Sequence, residues 1–125
     1  MNRFVLTAAA SVGLSVGLAA PAPAAGTWAA IASSPSKHNY SAFWGPGTKN
    51  QAEQKAVQRC NADSKVTDCL VVASSADCVA VARELSGSHF GVGPNAQAAE
   101  ANAQSRSAGG ATDLQSWCST DPGYL

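Results

Sequence analysis

Four cysteines, two histidines and two similarly placed glutamates carry most of the side-chain chemistry open to this 125-residue chain. Cys60, Cys69, Cys78 and Cys118 could hold a metal as thiolates or pair as disulfides. Zinc fits poorly, because no Cys-x-x-Cys pair exists and His38 and His89 stand apart from the cysteines in sequence. Two disulfides fit better, and four cysteines allow three connectivities. The same two histidines are the candidate bases for a nucleophilic Ser or Cys, yet both fall in or beside turn-forming sequence, where a solvated role is expected. Glu53 and Glu100 hold matching places in two helical segments, which invites a paired acid and base as in sugar hydrolysis. A repeated solvated face gives the same spacing, and Glu53 lies one turn from its helix start, where negative charge is favourable by itself. Gly91-Val92-Gly93 runs into Pro94 instead of the further glycine of a phosphate-cradling loop. These residues therefore assign no catalytic group, no metal site and no cofactor.

The chain opens as an export signal. Residues 1–3 are short and positive, residues 4–20 are apolar and uncharged, and Ala22-Pro23-Ala24 gives the small-x-small pattern of a cleavage site. A membrane anchor is disfavoured because Gly13, Gly17 and several Ser and Thr dilute the run and a proline cluster stops it. Removal of residues 1–24 leaves 125 minus 24, or 101 residues, the length of one secreted domain. Losing Arg3 takes the basic count from 8 to 7 against 8 acidic residues, a net charge of minus 1. With no basic cluster, nucleic acid and anionic membrane surfaces are poor partners. No membrane span is expected after cleavage.

The elements that must position these side chains come in two similar sets, residues 28–77 and 78–119. Trp28-Ala29-Ala30-Ile31-Ala32 resembles Cys78-Val79-Ala80-Val81-Ala82, and Gly45-Pro46 answers Gly93-Pro94. Ala52-Glu53, Ala56, Arg59 and Asp68 recur as Ala99-Glu100, Ala103, Arg106 and Asp113. Each set reads as strand, strand, helix, strand, an α+β plan with a sheet-and-helix core. In the first, residues 28–33 and 40–44 form a hairpin across turn-forming residues 34–39. Thr48 with Gln51 makes a capping box opening a helix to about Cys60, and residues 68–73 form the third strand. In the second, strands cover 78–83, 89–93 and 113–118, and a helix capped by Asn95 ends before Gly109-Gly110. That helix is rich in alanine on every side, so it should lie close against its sheet and depend on tethers. Residues 120–125 read as a frayed tail.

The repeat suggests the pairing. Cys60 and Cys69 align with Ser107 and Leu114, so the second set lacks both members at once, as a Cys60 to Cys69 bridge predicts. Cys78 then pairs with Cys118, and the aligned Trp28 and Ala73 replace that bridge by a large residue facing a small one. Such bonds suit an exported protein in an oxidising compartment.

The Trp28 motif, the Gly-rich aromatic strand after it, the Ala-Glu helix ending in Arg59-Cys60, the Asp68-Cys69 strand and the second opening at Cys78 resemble a bacterial secreted family called domain of unknown function 4189. The family is common in mycobacteria. The resemblance covers essentially residues 28–119 and implies secretion and architecture, with no catalytic residue. This chain departs from it at Ser107 and Leu114, where members often keep another cysteine pair.

Binding is therefore the expected role. Tyr40, Ala42 and Trp44 share one face of the second strand, and Phe43 points the other way. If the Ala42 and Trp44 side is core, Phe43 either packs under the first helix, the favoured reading, or is an exposed aromatic beside Lys37 and His38. With His89, these residues are the expected surface for an unknown protein or an envelope glycan, in a non-enzymatic interaction protein. The alternative is a small cell-envelope hydrolase, or an inhibitor of an envelope enzyme.

Overall fold

The computed structural model describes residues 26–108 and 110–122. The expected export signal, Gly109 of the Gly-Gly helix stop and Tyr124 of the expected tail lie outside the described residues.

Two strands with almost no large side chains form the centre. Thr27–Ser34 (β1) contains Ala29, Ala30, Ile31 and Ala32, and Cys78–Glu84 (β4) contains Val79, Ala80, Val81 and Ala82; all eight residues have no exposed surface. A strand buried this fully is covered on both faces, so its apolar residues run continuously and do not alternate with polar ones. β1 lies between Asn39–Pro46 (β2) and Leu70–Ser75 (β3), antiparallel to both. β4 lies likewise between Gly87–Gly93 (β5) and Asp113–Cys118 (β6).

The helices cover the outer faces. Lys49–Ser64 (α1) sets Ala52, Ala56 and Cys60 on Ala30 and Ala32, and Ala96–Gln104 (α2) sets Ala99 and Ala103 on Cys78, Ala80 and Ala82. The inner faces meet through Ala29, Ile31, Ala42 and Val79, with Tyr40, Trp44, Ala73, Phe90 and Trp117 around them. The result is four layers, helix, sheet, sheet, helix. β1 meets β4, β2 meets β6 and β3 meets β5, the arrangement generated by a two-fold axis along the strands.

Local signals agree with these elements. Thr48 accepts from the Gln51 amide at 3.2 Å while the Gln51 side chain accepts from the Thr48 amide at 2.9 Å, the reciprocal capping box. Asn95 caps α2 by accepting from Ala98 N at 2.8 Å. α1 continues one turn past Cys60, to Ser64, and stops where Lys65 turns left-handed at φ 55°. Disulfides join Cys60 to Cys69 and Cys78 to Cys118.

Three expectations are corrected. The bridge Cys78–Cys118 is not replaced in the first half by Trp28 facing Ala73: Ala73 lies opposite Ile31. Val71, not Cys69, takes the place of Leu114, since Val71 lies opposite Ala32 as Leu114 lies opposite Ala82, and a bulge between Ile31 and Ala32 sets Val72 aside. Residues 120–122 are held and not frayed, because Asp121 accepts from Cys118 N at 2.8 Å and Pro122 accepts from the Trp44 indole at 3.1 Å.

Candidate binding site

The residues that could have done acid-base chemistry are tied into the fold. Glu53 on α1 accepts from Ser74 on β3 at 2.7 Å, and Glu100 on α2 accepts from Ser116 on β6 at 2.6 Å. The two carboxylates thus fasten each helix to its own third strand. Both sheets lie between them, a separation exceeding the roughly 10 Å between stacked sheets and too wide for a glycosidase pair. His89 lies in β5 and bonds Glu84 at the end of β4, and the Glu84 side chain is only 10% exposed. The same Glu84 oxygen also accepts, weakly, from Ala108 N beyond α2.

Lys37 and His38 occupy the β1–β2 turn and are exposed. His38 takes a left-handed conformation at φ 58°, and its amide bonds the Ser34 carbonyl at 2.8 Å. Asp68 fastens this turn, accepting from Ser34 Oγ at 2.7 Å and from Ser36 N at 3.1 Å. The Ser34 and Ser36 hydrogen bonds hold the Asp68 carboxyl below its ordinary 3.8. A cavity of about 370 Å³ separates His38 from Arg83, Glu84 and Ser86 at the β4–β5 tip. Lys37 and His38 therefore share one end of the molecule with the Glu84–His89 pair, and Phe43 does not join them.

Phe43 is half-buried and faces α1, packing on the alanine cluster with Trp28 and Val57, while the Lys55 ammonium lies 5.5 Å from its ring centre. Of the two readings of Phe43, packing under the first helix is the one observed: alternation shows that Phe43 opposes Trp44, and both faces of β2 are covered.

The opening lies along the edge of β2, between α1 above and β6 below. Tyr40, Trp44 and Trp117 line one wall of a cavity of about 250 Å³, and Ser41, Arg59 and Asp63 line the other. Trp44 and Trp117 stack with centroids 6.4 Å apart, and Tyr40 meets Trp117 edge-on at 6.2 Å. Tyr40 donates to Gln115 at 3.0 Å, and Ser41 donates to Asp63 at 3.1 Å. Arg59 and Asp63 reach this edge together because they are one helical turn apart on α1. A second cavity of about 300 Å³ is lined by Phe43, Lys55, Gln58 and Arg59, and a third of about 480 Å³ by residues including Phe43, Trp44, Pro46 and Asp121. Sequence reasoning noted the Tyr40 and Trp44 alternation but missed Trp117, whose contact spans both sheets. The signal was a tryptophan in the last strand, with nothing local to say which edge it joins.

Among the described residues, no three His, Cys, Asp or Glu side chains gather as a metal site, and no helix is long and apolar enough to cross a membrane. No curated protein and no solved structure matches the chain. Residues 28–120 match the family described as Domain of unknown function (DUF4189), and that span covers both helices and nearly all of the six strands: the chain belongs to this family.

Proposed function

We propose that this protein is a small secreted binding protein, non-enzymatic, acting outside the cytoplasm or in the envelope of a bacterium such as a mycobacterium. Residues 1–24 are removed on export, and residues 25–125 form a single domain made of two duplicated units, 28–77 and 78–119. Two disulfides suit an oxidising compartment. The matching Glu53–Ser74 and Glu100–Ser116 bonds support the duplication, since the same pair of residue types joins helix to third strand in each unit.

The observation that carries the binding reading is the row of three cavities around β2, walled by aromatic rings and by charged groups of α1. A concave surface with an apolar wall and a few placed polar groups is the usual form of a ligand site. The alternative of an envelope hydrolase would draw on His89 and on Glu53 or Glu100, and all three already hold neighbouring strands or helices.

The test is retention of envelope, culture-fluid and host-cell components on the immobilised oxidised protein, with the reduced protein as control. A component retained only by the oxidised form, and released by Arg59→Ala, is the expected result. Retention unaffected by reduction and by that substitution would remove the β2 flank from consideration. Turnover of an envelope substrate that disappears in His89→Ala would favour the hydrolase.

A further inference from the structure

We infer that the cavity between Tyr40, Trp44 and Trp117 on one side and Ser41, Arg59 and Asp63 on the other binds one pyranose ring of a neutral glycan. This rests on the binding reading above and names its ligand class. A sugar ring has two kinds of surface, a face of C–H groups and a rim of hydroxyls that both donate and accept. The site offers both complements: indole and phenol rings on the β2 and β6 side, and on the α1 side a guanidinium that donates beside a carboxylate that accepts.

Size and charge narrow the class. Sites for drug-sized ligands run from roughly 300 to 1,000 Å³, and this one, at about 250 Å³, suits a single ring. One arginine balanced by one aspartate leaves no surplus positive charge for a phosphate or sulfate ester. The neighbouring cavities provide for a chain of rings. Arg59 lines the first and second cavities, Trp44 the first and third, and Phe43 the second and third, so the three are contiguous around β2. A short oligosaccharide can therefore place one ring in each. An extended peptide pairing with β2 is the competing occupant; Pro46 has no amide hydrogen to offer at the end of that strand, which blunts it for pairing.

The experiment titrates the oxidised full-length protein with neutral tri- and tetrasaccharides of glucose, mannose, galactose, arabinose and N-acetylglucosamine, following tryptophan fluorescence and saturation-transfer NMR. One of these is expected to shift the emission saturably, with ring C–H protons receiving the transfer. Asp63→Asn, which keeps an acceptor for Ser41, and Arg59→Gln should each weaken binding roughly tenfold, with melts of the free variants confirming that each is folded at the titration temperature. Trp117→Phe keeps a ring in the core and should weaken binding less than those changes do. If no saccharide produces a saturable shift, the glycan inference is overturned. Should a partner then still be retained by the oxidised protein, and be released by a peptide but by no sugar, the binding reading stands and its ligand is a protein. Loss of both sugar binding and retention removes the two together.

Discussion

The two halves share one order of elements yet seat their helices differently. In the first, Ala30 lies opposite Phe43, and α1 rests on that ring and on Trp28. In the second, Ala80 lies opposite Gly91, and α2 lies directly on the strand: a Cβ added to Gly91 would come within 2.3 Å of Ala103 N, and one on Gly93 within 2.5 Å of Ala99 N. α1 has 16 residues and a disulfide one turn before its end, whereas α2 has 9 and none. A short alanine-rich helix can thus be held by close approach where a longer, standing-off helix uses an aromatic spacer and a covalent tie. The carboxylate of Glu84, bonded to His89 and reaching Ala108 N, serves the second half near where Cys60–Cys69 serves the first.

Exchanging the spacers breaks the comparison most severely. Gly91→Phe should remove α2 from its sheet, because the obstructing atoms are backbone and cannot rotate away; a loss of more than about 4 kcal/mol is expected in denaturant melts. The disulfides come next. Replacing Cys78 and Cys118 together by Ser opens a sequence separation of 40 residues and should cost about 3.9 kcal/mol, against about 2.7 kcal/mol for Cys60 and Cys69 with a separation of 9. Equal losses would show that the bridges act through local packing more than through chain entropy. Glu100→Ala should cost about 1 kcal/mol, and more than Glu53→Ala, because α2 has hydrogen bonds, such as that from Val92 N to Asn102 at 2.9 Å, but no disulfide beside it; calorimetric melts of the two variants decide the order.

The smallest effect is a pH dependence. Asp68 is more acidic in the folded protein than in the unfolded chain, so it contributes stability above the ordinary carboxyl range. That contribution fades as pH falls through the ordinary 3.8 and is gone below the lowered folded value. Amide exchange at Ser36 and Lys37 should accelerate over that interval, and Asp68→Asn should abolish the pH dependence of that acceleration. An unchanged profile in the variant would assign the effect to another group.

Much of this architecture is legible in the residues, for local reasons. The Thr48 capping box, the Asn95 cap and the strand at 113–118 follow from residue preferences within one or two turns. The pairing of Cys60 with Cys69 follows from the missing pair in the second segment, and it holds although Val71, not Cys69, takes the place of Leu114. What escaped notice depends on distant chain. Alternation in β2 separates Phe43 from Trp44 without revealing that a helix covers one and a sheet the other. The bulge beside Val71 moves the third strand by one residue, and nothing in Leu70-Val71-Val72 announces it. Trp117 joins the candidate site across 73 positions from Trp44, that is 117 minus 44, where pattern reasoning has no reach.

The two disulfide rings also define the order in which this molecule can be closed. Residues 60–69 and 78–118 are consecutive spans, neither nested nor interlaced, and only Ala76 and Asp77 separate β3 from β4. A chain threaded into an oxidising space from its N-terminus can complete the first ring before Cys78 emerges, so the correct first bond needs no choice among competing thiols. Once both rings are closed, no covalent crosslink joins one half to the other. The halves are two sealed parcels on a two-residue string, held face to face by packing and hydrogen bonds, so they can be pulled apart by force, or exchanged between neighbouring molecules, without breaking a sulfur bond.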